Sequence, residues 1–235
     1  MDACLGGFLL PFAETVGFSQ GIRDFRLPGV TSISCDVHKY GYSPKGVSVL
    51  MWRNEDLRRL QYYSYAEWTG GLYATVTLAG SRAGSVTAAA WATLMCVGRQ
   101  GYENAAFDIL TAADKLKKTE IPGLELMGDP TMSVVSYTSK EFSSHAVGEV
   151  LGKKGWVVNN LLYPNGFHIC ITNANHHQVD ELVVDLKDAI EIVKNDPELV
   201  NKGVTALYGA AVVLPDKGVV SDICKHYLDS WTYLG

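Results

Sequence analysis

The spacing of apolar residues changes near residue 85, and that change constrains the fold more than any single motif. Before it, short apolar runs are separated by Gly-rich and aromatic loops; after it, long helical patterns alternate with short strands. Residues 31–37 alternate, with Ile33, Cys35 and Val37 on one face and Ser34, Asp36 and His38 on the other. That is the pattern of a half-buried strand ending at Lys39. Tyr40-Gly41-Tyr42-Ser43-Pro44-Lys45-Gly46 is turn chemistry, and residues 47–52 read as the next strand. Residues 86–95 are apolar almost all round, which predicts a helix buried at a domain junction or a subunit contact.

Residues 102–118 and 178–194 have helical spacing, and 144–153 is a shorter helix ended by Gly155. Residues 131–138, 156–163 and 167–172 read as strands, the last two joined by a Pro164-Asn165-Gly166 turn. The expected architecture is α/β, with residues 1–85 as one part and a junction helix plus a small α+β domain over 86–235. The first part has too few helices to cover a sheet on both faces, so the chain reads as the later part of something larger.

Composition narrows the function classes. The 235 residues are 47% apolar and 19% charged, which fits a globular chain. A net charge of −5 without a long basic run argues against nucleic acid as a partner. No stretch approaches the roughly 20 apolar residues of a membrane-spanning helix, so no membrane segment is expected. The N-terminus lacks the basic region of a signal peptide. Five scattered cysteines without a CxxC read as reduced, intracellular thiols. No His/Cys/Asp cluster has metal-ligand spacing, and no P-loop, G-x-S-x-G or G-x-G-x-x-G is present.

The sharpest chemical feature is His38-Lys39 where a strand runs into a Gly/Pro loop. A desolvated lysine there would have a lowered pKa, leaving a neutral amine to attack a carbonyl and form a Schiff base. A lysine reaching from a strand end to water fits the same spacing, and spacing alone favours it. Asp2 could pair with a protonated ring nitrogen, or be a solvated terminal acid. Gly80 and Ser81, with Arg82 beside them, could hold a phosphate ahead of a helix start; a Gly-rich connection capped at Ser85 fits equally. Lys45 is a second anion-binding charge or a surface cation. Tyr42 belongs to a group of tyrosines around the lysine loop that suits either a polar pocket or an aromatic core.

Taken in order, several segments resemble the sphingosine-1-phosphate lyases, pyridoxal-phosphate enzymes related to the amino-acid decarboxylases. They are Asp2-Ala3-Cys4-Leu5-Gly6-Gly7-Phe8, Ser34-Cys35-Asp36-Val37-His38-Lys39 with the loop to Gly46, Trp68-Thr69-Gly70-Gly71-Leu72-Tyr73-Ala74, and Gly80-Ser81-Arg82. The likeness continues through Lys154-Gly155-Trp156, residues 167–172 and Ala206-Leu207-Tyr208-Gly209. The resemblance implies the PLP-dependent transferase fold type I (aspartate aminotransferase-like), with residues 1–85 as the later part of its cofactor-binding large domain. By the same resemblance Lys39 would carry pyridoxal 5'-phosphate as a Schiff base and act in proton transfers. Asp2 would pair with the pyridine nitrogen, Ala3 would pack on the ring, and His38 would sit beside the cofactor phosphate. Gly80 and Ser81 would bind that phosphate across a homodimer, while Lys45, Tyr42 and Arg82 would face the substrate.

The implied reaction is a retro-aldol cleavage of a sphingoid-base phosphate to a long-chain aldehyde and phosphoethanolamine. An amino-acid decarboxylase on the same fold and a truncated, non-catalytic family member are the alternatives. The family extends further upstream, where many eukaryotic members carry an endoplasmic-reticulum anchor, so this chain is expected on the cytoplasmic side. Val76 and Ala83 stand where the family has proline, and each relaxes a loop by removing a fixed φ.

Overall fold

The structure, a computed structural model, describes residues 1–18 and 21–232. The chain divides into two compact units, Met1–Leu110 and Thr111–Gly235. In the first, Ser32–Asp36 pairs antiparallel with Ser48–Trp52, Ser34 opposite Leu50. The opening residues run parallel along the other edge of Ser32–Asp36. Ala3 N–H donates to Ser34 O at 2.8 Å, Ser34 N–H to Met1 O at 3.2 Å and Asp36 N–H to Cys4 O at 3.3 Å. Strand alternation then sorts the side chains: Ala3, Ile33 and Cys35 are buried together, with Phe8, Phe25 and Val30 packed against them. Ser34 and Asp36 point to the opposite face.

The expected loop follows the strand and is held by its own backbone. Lys39 N–H donates to Asp36 O (3.2 Å), Tyr42 N–H to Lys39 O (3.0 Å) and Ser43 N–H to Val37 O (3.1 Å). The last of these closes the turn so tightly that a Cβ at Gly41 would collide with the Val37 carbonyl. A second hairpin, Tyr63–Tyr65 with Tyr73–Thr75, is built almost wholly of exposed residues.

The helix Gly84–Lys118 is interrupted at Gly98, whose φ of 61° breaks the helical geometry. Within the single chain, the helix expected at a domain junction or subunit contact is covered on one face only. Ala90 is buried, but Trp91 and Met95 are each 65% exposed. A helix that is apolar all round can bury only one face against its own chain.

In the second unit four antiparallel strands lie in the order Glu125–Leu126, Val134–Thr138, Gly166–Cys170, Asn159–Leu161. Val135 faces Ile169 and Tyr137 faces Phe167, all four buried. Helix Ser144–Lys153 starts where the Ser143 side chain accepts from Ala146 N–H, and it buries Val147 and Leu151. Helix Val179–Asn195 buries Leu182, Leu186, Ile190 and Val193, the stripe read from the sequence. Each such side chain removed from water contributes roughly 1.5–3 kcal/mol. Two further helices, Gly203–Val213 and Lys217–Thr232, complete the unit. Glu149 ties the first of them in by accepting from Thr205 N–H (3.0 Å) and Oγ1–H (2.7 Å).

Candidate active site

Lys39 stands at the first turn after the strand, where its side chain folds back on Asp36. Its Nζ lies 3.0 Å from Asp36 Oδ2, and His38 Nε2 lies 3.9 Å from the same oxygen. Hydrogen bonds from Ser48 and Lys39 hold the Asp36 carboxyl below the usual carboxylate range. The same pairing, aided by the Cys4 thiol, raises the Lys39 ammonium above its ordinary value. The expected desolvated amine of lowered pKa is therefore corrected. A side chain that is about a third exposed loses little hydration, and the adjacent carboxylate outweighs that loss.

His38 is oriented from its other nitrogen, with Nδ1 2.6 Å from Val47 O, which also joins the two ends of the loop. Asp2 lies beside Ser34 in the parallel pairing and so shares the face of Asp36. Its Oδ1 accepts from Cys4 N–H at 2.8 Å, and that bond keeps the carboxyl ionised to lower pH than usual. The charge of Lys39 adds a smaller effect in the same direction.

Ala3 packs into the core with Ile33 and Cys35. Successive residues of an extended segment point to opposite faces, so the neighbour on the Lys39 side is Cys4. Cys4 and Asp36 are the residues beside Lys39 that the sequence did not single out. The alternation at residues 31–37 placed Asp36 on the right face, but nothing local revealed that residues 1–4 pair with it.

Other expected residues sit at the loop's margins. Tyr42 has the only positive φ, 63°, among described non-glycine residues, and its ring stacks on Tyr102. Lys45 is exposed. Gly80, Ser81 and Arg82 form a separate exposed stretch before the helix, where Arg82 Nη2 donates to Thr77 Oγ1 at 2.9 Å. A Cβ at Gly46 would come 3.7 Å from Val86 Cγ1, so the far end of the lysine loop reaches that helix start. A cavity of about 360 Å³ lies against Ala3, Ile33 and Cys35, on the face away from Lys39. Among the described residues no group of three or more His, Cys, Asp or Glu could hold a metal ion.

This arrangement offers a primary amine, an ionised carboxylate one strand away and an imidazole fixed by the backbone. No protein-family model matches the chain. A Lactobacillus brevis glutamate decarboxylase superposes over 81% of this chain and 46% of its own, with a TM-score of 0.63 at 24% identity. The fold is that of the PLP-dependent enzymes of fold type I.

Closer likeness is particular. A Burkholderia pseudomallei sphingosine-1-phosphate lyase matches with a TM-score of 0.76 and 40% identity, over 81% of this chain and 44% of that one. The Arabidopsis thaliana sphingosine-1-phosphate lyase is 43% identical over 98% of the chain and 43% of its own length. The chain is thus a homologue of the sphingosine-1-phosphate lyases along nearly its whole length, and it spans about two fifths of the relatives it matches.

Proposed function

We propose that this chain supplies the lysine-bearing part of a pyridoxal-phosphate-dependent carbon–carbon lyase acting on sphingoid-base phosphates. The observation that carries the reading is the pairing of the Asp2 segment beside Ser34, which brings Asp2 near enough to the Lys39 turn for the lysine's charge to lower its pKa. The donor set suits the cofactor. An ionised carboxylate is what a protonated pyridine nitrogen requires, and a lysine amine is what its aldehyde requires. When bound, the cofactor supplies an electron sink for the pair released as the Cα–Cβ bond breaks.

The chain's own residues have separate tasks. Lys39 holds the cofactor through Nζ and afterwards carries protons at that atom, with Asp36 at 3.0 Å as its charge partner. Asp2 holds a proton at the ring nitrogen through Oδ1 and Oδ2. His38, fixed on Val47 O, stands beside the cofactor phosphate. Lys45 and Tyr42 face the substrate, with Arg82 a further charge, and Gly80 and Ser81 serve the phosphate site of a second copy. Residues 1–85 act as the cofactor-binding part and 86–235 as junction helix and small domain. A second copy of the chain covers the outward face of the helix at Trp91 and Met95. Among the described residues no helix is long and apolar enough to cross a membrane.

The test is reductive trapping. Pyridoxal phosphate is added to the purified chain, the mixture is reduced with borohydride, and the modified lysine is found by mass spectrometry. Modification concentrated on Lys39, and lost in Lys39→Ala, supports the reading; modification spread over surface lysines overturns it. Release of long-chain aldehyde rather than carbon dioxide separates this lyase from a decarboxylase.

A further inference from the structure

Tyr102 is one of the few polar side chains buried in the first unit, and the chemistry above gives it no task. It is 4% exposed and lies four residues after the break at Gly98. Its hydroxyl donates to Gly41 O at 2.8 Å, across 61 residues of sequence. Its ring meets three aromatic residues. Phe8 (centroids 5.3 Å apart) and Phe12 (5.6 Å, interplanar 13°) come shortly after the Asp2 segment. Tyr42 (6.1 Å, interplanar 5°) lies in the turn that carries Lys39.

We propose that Tyr102 is a positioning residue for the candidate site, fixing the Lys39 turn against the Asp2 segment through Gly41 and Tyr42. Two observations at the turn call for such a restraint. Gly41 sits where no other residue fits, because a side chain there would strike Val37 O. Tyr42 is held at φ 63°, a conformation that strains a residue with a Cβ and persists only when its surroundings impose it. The Tyr102 hydroxyl captures the carbonyl between them, and its ring gives the Tyr42 ring a parallel face to lie on.

Because Gly41 O faces a buried phenol, losing the hydroxyl leaves that carbonyl without its donor. The turn is then free to relax toward ordinary φ at Tyr42, carrying Lys39 with it. The break at Gly98 matters because it sets the rotation at which the helix resumes, and hence which residue faces the turn.

This inference rests on the proposed function for its meaning but not for its test. The variant is Tyr102→Phe, which keeps the ring and its stacking and removes only the donor. Hydrogen exchange followed by mass spectrometry should show amides of residues 39–43 exchanging about five- to tenfold faster, with the rest of the first unit exchanging at the parent rate. Phe12→Leu, which loosens the stack and keeps the hydroxyl, should leave that exchange at the parent rate. Borohydride trapping should show a smaller share of cofactor on Lys39 in Tyr102→Phe than in the parent.

Unchanged exchange at 39–43 in Tyr102→Phe, or acceleration spread evenly over the unit, overturns the positioning role. Acceleration of the same turn in Phe12→Leu assigns the restraint to the stack and overturns the role of the hydroxyl. Should Tyr102→Phe fail to fold, the Phe12→Leu comparison and the parent's protection at Tyr42 and Ser43 decide the matter; an unprotected turn in the parent overturns the proposal. If the parent never traps cofactor at Lys39, the proposed function fails while the exchange result still stands.

Discussion

Lys39 faces two demands that pull against each other. Attack on an aldehyde needs a neutral amine, yet the carboxylate of Asp36, 3.0 Å away, favours the ammonium. Removing that carboxylate should let the amine shed its proton more readily. In Asp36→Asn, the pH at which half-maximal trapping at Lys39 is reached should therefore fall relative to the parent. An unchanged midpoint would show that Asp36 does not govern the lysine. A contrasting residue lies in the second unit, where burial pushes the Tyr137 phenol up to about 12 while its hydroxyl donates to Leu116 O at 3.1 Å. The folded state thus keeps its proton where the unfolded chain has lost it. The stability this contributes is complete below about pH 10 and is lost as pH climbs toward 12, to the extent of roughly 2–3 kcal/mol. Urea unfolding at pH 9 and 11.5 should show the fall in the parent and a smaller one in Tyr137→Phe.

Among the elements, helix Val179–Asn195 makes the clearest stability prediction. Leu186 is fully buried, so Leu186→Ala should cost about 2–5 kcal/mol, while Val184→Ala, on the solvent side, should stay within about 0.5 kcal/mol. Equal losses at the two positions would mean the face assignment is wrong. This helix was legible in the sequence because its apolar residues recur at one spacing and its opposite face is charged. Helix Gly203–Val213 was not, since its run of Val, Ala and Leu is interrupted only by Thr, Tyr and Gly and marks no face. Hairpin Tyr63–Tyr65 with Tyr73–Thr75 escaped for the opposite reason: its strands are three residues long, too short for alternation to register. At the site, the period of two placed Asp36 but not Lys39, which lies in the turn beyond the strand, where alternation no longer holds. That residues 1–4 pair beside this strand was not legible, because the partner lies some thirty positions away in sequence.

At the scale of the molecule, the outward apolar face of the helix after Gly84 carries the expectation of self-association. Trp91 and Met95 are one turn apart on that face. If a second copy covers them, the parent should run as a dimer in sedimentation, and replacing both by Glu should give a monomer with an unchanged far-ultraviolet spectrum. A monomeric parent would remove the homodimer from the proposal. The ion pair between Lys39 and Asp36 bears on the protein's lifetime as well as on its chemistry. Reducing sugars and stray aldehydes condense with free amines and leave ammonium groups alone. Holding Lys39 protonated until the right carbonyl compound displaces its partner spares this position from glycation, so a store of unloaded protein should age first at lysines without such a carboxylate beside them.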